Sequence, residues 1–155
     1  MTAPPPSLRQ LLEAERNGVL ATLSARRGGW PFASVAPYAT TSTGEPLLLL
    51  SELAEHTRNL HADPRASLLI QDSNAGEDPQ TGARITLLGS ADIVDEADHQ
   101  RARQWYMARH PQASQYFELK DFHLWVLRLT EARFVNGFGD MGWLQGERLL
   151  TALAE

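Results

Sequence analysis

The sequence contains no cysteine, and Lys120 is the only lysine among its 155 residues. Without cysteine the chain has no disulfide framework, no thiolate metal site and no cysteine nucleophile, which fits a reducing compartment. No apolar run approaches the roughly 20 residues that a bilayer-spanning helix needs. The first ten residues, MTAPPPSLRQ, lack the basic-then-apolar layout of a secretory signal. We therefore expect a cytoplasmic protein that does not enter a membrane.

Arginine supplies almost all of the positive charge, and the net charge is −5. An acidic chain argues against general binding to nucleic acid, which depends on neutralising phosphates. The planar guanidinium of arginine suits bidentate contacts with a phosphate or a carboxylate. We expect no nucleic-acid partner, and an anionic small molecule is the kind of ligand that this composition favours.

The length is typical of a single domain, which we expect over residues 7–155 after a proline-rich, disordered segment at residues 1–6. Ser7 and Gln10 have the spacing of a capping box, so a helix should begin at Leu8, and Gly18 should end it. Two further helices are predicted at about residues 54–62 and 95–109, and a short helical piece at residues 112–117. We expect His110, which precedes Pro111, to lie on the surface.

Alternating and continuous apolar runs predict strands connected mostly by hairpins. They cover residues 19–25, 30–40, 47–51, 66–72, 83–94 and 122–138, and the last should be kinked near Thr130 and Glu131. Too few helices follow the strands for a parallel sheet. The pattern therefore predicts a mainly β protein, a small antiparallel barrel with short helices on its outside.

Residues 47–70, LLLLSELAEHTRNLHADPRASLLI, place a polar segment where a strand gives way to a helix. A helix N-terminus has unpaired backbone N–H groups and a partial positive charge, so it favours anions. The segment adds side-chain donors to that end, from Ser51, His56, Thr57 and Arg58. Such residues also cap helices or stay solvated without any ligand, so the segment alone leaves both interpretations open.

Four blocks of the sequence resemble, in order, the pyridoxamine 5′-phosphate oxidase-like, FMN-binding split-barrel family. They are GVLATLS with GWPFASVAPY, then SELAEHTRNLHADPRASLL, RITLLGSADIV and FVNGFG. The second and fourth blocks are most similar to the haem-utilisation branch of that family. The resemblance implies a six-stranded antiparallel Greek-key split barrel with flanking helices. It also implies a homodimer that holds FMN at the subunit interface.

The resemblance also assigns cofactor-binding residues. It places Ser34 on the second strand, and Ser51, His56 and Thr57 near the start of the helix, around the FMN phosphate. Ser34 and His56 stand where oxidases of the family have arginine or lysine. Arg84 matches a position that contacts the flavin ring or ribityl chain, and Pro37 and Tyr38 match a segment that lines the ring.

Three functions remain open from the sequence. The first is an FMN-dependent oxidoreductase that acts on a small molecule, with no catalytic residue identified and no metal site expected. Because the Arg-x-His pair of the pyridoxamine-phosphate oxidases is missing, we do not expect that oxidase activity. The second is a haem-binding protein in which His56, His61 or His123 contributes. The extension histidine of haem-degrading relatives has no counterpart, since His123 is the last histidine. The third is a cofactor-free binding module.

Overall fold

A computed structural model describes residues 7–137 and 139–155, so the segment 1–6 predicted to be disordered lies outside the described residues. The described part has eight strands and five α-helices. The strands are β1 (Asn17–Leu23), β2 (Pro31–Pro37), β3 (Ala39–Thr40), β4 (Pro46–Ser51), β5 (Arg65–Gln71), β6 (Ala83–Ile93), β7 (Phe122–Asn136) and β8 (Met141–Gln145). The helices are α1 (Leu8–Ala14), α2 (Glu55–Ala62), α3 (Glu96–Arg109), α4 (Ser114–Phe117) and α5 (Gly146–Ala154). None of these helices is long and apolar enough to cross a membrane.

All eight strands belong to one antiparallel sheet in the order β2-β1-β5-β6-β7-β4-β3, and β8 pairs with β7. This curled sheet with short helices confirms the predicted mainly β split barrel, although eight strands replace the expected six. One extra strand arises because the run at residues 30–40 is divided into β2 and the two-residue β3. The other is β8, in a glycine-containing stretch for which no strand was predicted.

The first helix has the predicted start and an unexpected end. Ser7 and Gln10 form both hydrogen bonds of the capping box, as their spacing predicted. The helix does not reach Gly18, because the backbone of Glu15 is already extended while its N–H still bonds to the Leu11 carbonyl. The final helix, α5, was not predicted from the sequence.

Two apolar cores lie on either side of the ladder between β4 and β7. The larger fills the inside of the curled sheet, where α1 and α5 insert Leu11, Leu12, Leu149 and Leu153. The smaller lies under α3 and contains Tyr106 and Ala102. Because strand residues alternate between faces, neighbouring side chains of β7 enter different cores: Trp125 and Leu127 in the first, Leu124 and Val126 in the second.

The long strands β6 and β7 change register between Leu88 and Gly89. Leu88 pairs with Glu131 and Gly89 pairs with Leu129, which leaves Thr130 as the extra residue of a β-bulge. A Cβ atom on Gly89 would overlap the backbone carbonyl of Arg128, so the close approach requires glycine. The bulge confirms the kink predicted near Thr130 and Glu131.

Six adjacent strands expose their outward face, which we call the outer face (strands β2, β1, β5, β6, β7 and β8). From Arg128 onwards in β7, and along the paired segments of the other five strands, every outward-pointing residue is exposed or half-buried. The earlier outward-pointing residues Leu124 and Val126 of β7 lie in the core under α3. Several are apolar, including Val35, which is 73% exposed, and Trp143, which is 49% exposed. A sheet face of this kind is a candidate protein contact surface.

His110 connects three elements from a buried position, contrary to the surface location expected for it. Its Nε2 lies 2.6 Å from the Tyr38 carbonyl oxygen, so Nε2 carries the proton and donates. The Tyr38 hydroxyl in turn donates to the Leu12 carbonyl at 2.6 Å. The imidazole also packs on Tyr106, with 4.9 Å between ring centroids. The end of α3 is thereby tied to the end of β2 and to α1.

Burial lowers the pKa of His110, so its imidazole takes up a proton in the unfolded chain at a pH where the folded protein does not. The free energy of unfolding should therefore fall as the pH drops below about 6.5, the ordinary value for histidine. His110→Gln keeps a donor for the Tyr38 carbonyl and should remove part of this pH dependence. Urea unfolding at pH values between 7 and 5 measures it. An unchanged pH dependence in the variant would contradict this role.

Candidate functional site

The start of α2 has no side-chain cap. Ala54 occupies the N-cap position, where a hydroxyl or carboxamide side chain would normally accept from the first turn. The first backbone hydrogen bond of the helix joins Arg58 N–H to the Ala54 carbonyl. The N–H groups of residues 55–57 therefore receive no side-chain acceptor from the described part of the chain.

Ser34 and His56 meet at this uncapped start. Ser34 pairs with the buried Leu20 across the β1–β2 ladder, which places its side chain on the inner face of β2. Its Oγ lies 3.2 Å from Nδ1 of His56. The other ring nitrogen, Nε2, is buried and has no partner among the described residues. Burial lowers the pKa of His56, so the ring is neutral at neutral pH.

Two buried hydroxyls near the same helix are also unpartnered. Thr57 is completely buried, and its Oγ1 contacts no donor or acceptor in the described part of the chain. The same holds for Oγ of Ser24, in the connection between β1 and β2 that packs on α2. A buried polar group without a hydrogen bond costs about 1–3 kcal/mol. A group that supplied the missing partners would therefore bind favourably here.

Asn59 holds α2 in place. Its side chain is fully buried; Nδ2 donates to Thr22 Oγ1 at 3.0 Å, and Oδ1 accepts from the Ala25 N–H at 2.9 Å. On the surface, the Arg26 guanidinium and the Glu55 carboxylate form an ion pair at 2.8 Å. No role was assigned to Asn59 from the sequence, although a residue three positions after His56 is its neighbour on the same side of the helix.

The remaining predicted site residues have other partners in this chain. Ser51 is near the start of α2, but its hydroxyl donates to Asp121 at 2.8 Å and accepts from the Leu53 N–H at 3.1 Å. Arg84 donates to three carbonyls of its own loop, at Pro79, Gln80 and Gly82. It lies three strands away from β2, roughly 14 Å at ~4.8 Å per strand.

Pro37 and Tyr38 lie at the end of β2, where Pro37 is exposed and Tyr38 is completely buried. The Tyr38 N–H donates to the Arg16 carbonyl at 3.0 Å, and its own carbonyl accepts from His110. The backbone groups of Tyr38 are thus used within the fold. Of the seven predicted positions, a single chain brings together Ser34, His56 and Thr57, with Ser51 nearby.

A second group of polar side chains surrounds Glu52, just after β4. His61 Nε2 lies 2.9 Å from one oxygen of the Glu52 carboxylate, and His123 Nε2 lies 3.7 Å from the other. The His61 ring also meets Trp125 edge-on, with 5.1 Å between centroids. Both histidines are accessible, with side chains 47% and 44% exposed. The sequence had named both as candidate ligands without indicating that they share a carboxylate.

The antiparallel curled sheet, with a polar cluster at the start of a helix that packs on its first hairpin, defines a split-barrel protein of the pyridoxamine 5′-phosphate oxidase-like class. The family model "CREG, beta-barrel" matches residues 5–150, and the chain belongs to that family.

Several proteins are similar over most of the chain. The chloroplastic non-canonical heme oxygenase HOZ of Arabidopsis thaliana is 36% identical over 137 residues, covering 87% of this chain and 41% of that protein. The chain thus spans less than half of that relative's length. Heme oxygenase HutZ of Vibrio cholerae is 26% identical over 153 residues, covering 94% and 83%. The structure of a heme binding protein from Mycobacterium smegmatis aligns with a TM-score of 0.85 at 35% identity, covering 97% and 62%.

Two buried threonines give a matched test of the site. Thr57→Val removes an unpartnered hydroxyl and keeps the shape of the side chain, so the ligand-free protein should gain about 1 kcal/mol in unfolding free energy. Thr22→Val takes the acceptor from Asn59 Nδ2 and should lose about 1–3 kcal/mol. Urea unfolding of both variants measures the difference. If Thr57→Val is destabilised as strongly as Thr22→Val, the Thr57 hydroxyl already has a partner in the fold.

Proposed function

We propose that this protein binds haem and takes part in haem handling or haem breakdown. The observation that carries the proposal is the similarity, over 97% of the chain at 35% identity, to a mycobacterial heme binding protein. The 36% identity to a heme oxygenase supports the same cofactor. The sequence had favoured an FMN-dependent oxidoreductase and kept haem as the alternative; these relatives support the alternative better.

The chain offers accessible imidazoles and a carboxylate beside them, and both suit a haem group. Haem iron is commonly held by an imidazole, and a nearby carboxylate often orients such a ligand. His61 and His123 are accessible imidazoles that share the Glu52 carboxylate, whereas His110 is buried and bonded to Tyr38. Haem, when bound, supplies the redox chemistry of its iron. The histidines and the start of α2 would bind and orient it.

The proposal includes a homodimer with the cofactor at the subunit interface, as the sequence resemblance implied. The exposed apolar residues of the outer face, among them Val35 and Trp143, support it. Val35 pairs with the exposed Val19 across the β1–β2 ladder, and exposed apolar patches on a folded domain mark contact surfaces. A second copy that covered this face would bury side chains that one chain leaves in water.

FMN remains a second candidate because of one feature, the uncapped start of α2. The N–H groups there, with Ser34, His56 and the unpartnered Thr57 hydroxyl, have the chemistry of a phosphate site. A neutral His56 brings no charge to balance a phosphate dianion. The site therefore suits flavin less well than a site with arginine or lysine at this position.

Haem binding is tested by titrating the purified protein with haemin and following the Soret band. The wild type should bind, and the double variant His61→Ala/His123→Ala should bind at least about tenfold more weakly, or with an altered Soret position, because the accessible imidazoles are gone. His99→Ala on α3 is the matched control and should behave as wild type. A wild-type protein whose spectrum matches that of free haemin would contradict the proposal.

The same protein titrated with FMN tests the second candidate. A red-shifted, structured flavin spectrum and a rise in melting temperature would support it. A spectrum identical to that of free FMN, with no rise in melting temperature, would reject flavin binding.

The dimer is tested by Val35→Glu, which puts a charge in the middle of the exposed edge strand β2. We expect the wild type to have twice the mass of the chain in light scattering after size exclusion, and the variant to shift to the monomer because the buried charge would be unpaired. Leu53→Glu changes an exposed leucine away from the outer face and should stay dimeric. A monomeric wild type would contradict the dimer.

A further inference from the structure

The start of α2 combines two independent features of an anion site. The first turn lacks a capping side chain, so its N–H groups are unpaired. The buried atoms His56 Nε2 and Thr57 Oγ1 in that same turn have no partner in the described residues. An oxyanion accepts hydrogen bonds only, so it would satisfy donors from the backbone, from Thr57 and from a protonated His56.

The charge balance around His56 is the difficulty for such a ligand. The other titratable residues of α2 are Glu55, Arg58 and His61, and the β1–β2 connection adds Arg26 and Arg27. Neither β1 nor β2 carries a titratable side chain. Arg26 is paired with Glu55 at 2.8 Å. Arg27 and Arg58 are exposed. No buried cation among the described residues therefore balances an oxyanion at this position, and an unbalanced buried charge is strongly unfavourable.

We propose that the start of α2 binds an oxyanion together with one proton, and that the proton is taken up by His56. The imidazolium would donate from Nε2 towards the oxyanion, and from Nδ1 to Ser34 Oγ, which lies 3.2 Å away. The Ser34 hydroxyl is then free to donate to the ligand. This inference rests on the proposed function only for the identity of the ligand, whose oxyanion is a haem propionate or, for the second candidate, the FMN phosphate.

Proton uptake makes the affinity depend on pH. His56 is neutral in the ligand-free protein at neutral pH because burial lowers its pKa, and an adjacent oxyanion would raise it again. Between these two pKa values the affinity should rise by about tenfold for each unit by which the pH falls. An anion site built from arginine or from backbone groups alone would show no such slope.

Sulfate is the appropriate probe because it remains a dianion between pH 5 and 8. Titration of the ligand-free protein, followed by NMR of the histidine imidazoles, should give an affinity at pH 5.5 at least about tenfold higher than at pH 7.5. The His56 resonances should shift to those of the imidazolium on binding. His56→Gln should lose the pH dependence, and Ser34→Ala should weaken binding at every pH. His99→Gln on α3 is the control that should keep both the affinity and its pH dependence.

Two pairs of ligands identify the natural oxyanion. Haemin is compared with its dimethyl ester, and FMN with riboflavin, at pH 6 and pH 7.5. The pair in which only the charged member shows the His56-dependent pH effect contains the ligand.

The outcomes separate this inference from the proposed function. Haem that binds with an affinity independent of pH and of His56 leaves the proposed function standing and overturns proton uptake. Sulfate binding that is linked to proton uptake, in a protein that does not bind haemin, supports this inference and contradicts the proposed function. Sulfate that fails to bind at pH 5.5, or binds equally at both pH values, also overturns the inference.

Discussion

The two hydrogen bonds of the buried Asn59 side chain fix the geometry on which the candidate site depends. They attach α2 to Thr22 at the end of β1 and to Ala25 in the following turn. Because both ends of the carboxamide are used, the helix can neither slide nor rotate without breaking a buried bond. The uncapped start of α2 is therefore presented at a constant position beside Ser34 on β2. The proposed anion site depends on this constant position.

The fold around this attachment is arranged so that its two faces differ. The inner face of the curled sheet is filled by leucines from α1 and α5, while the outer face keeps apolar side chains in contact with water. The bulge at Gly89 bends the two longest strands and helps the sheet curl over its core. The polar cluster at α2 lies at one end of that core. A ligand held there would meet the first turn of α2, which carries the unpartnered Thr57 hydroxyl.

Much of the fold followed from local patterns. Alternation and apolar runs predicted β1, β2, β4, β5, β6 and β7, and the capping box predicted the start of α1. β8 was missed because Gly142 and its neighbours resemble a loop; the strand exists through its pairing with β7. Local signals do not reveal such pairings, since the partner strand decides them. The same reason explains His110. Its position before Pro111 predicted a surface location, but a tertiary hydrogen bond to the Tyr38 carbonyl holds the imidazole in a buried position.

The site was predictable in part. From its donors alone the segment from Ser51 to Arg58 left an anion site and ordinary helix capping both open. The structure adds the contact of His56 with Ser34, 22 residues away in sequence. The unpartnered state of Thr57 and of His56 Nε2 depends on burial and could not be seen in the sequence. The pairing of His61 and His123 through Glu52 also required the register of β4 with β7.

The measurement that tests the central claim most directly is the visible absorption spectrum of the protein as purified from haem-replete cells. The account predicts an intense Soret band, with haem recovered in the organic phase after denaturation in acid. A two-banded flavin spectrum, with FMN released by heat, would contradict it. That result would return the protein to the flavin function that its resemblance to the FMN-binding split-barrel family first implied.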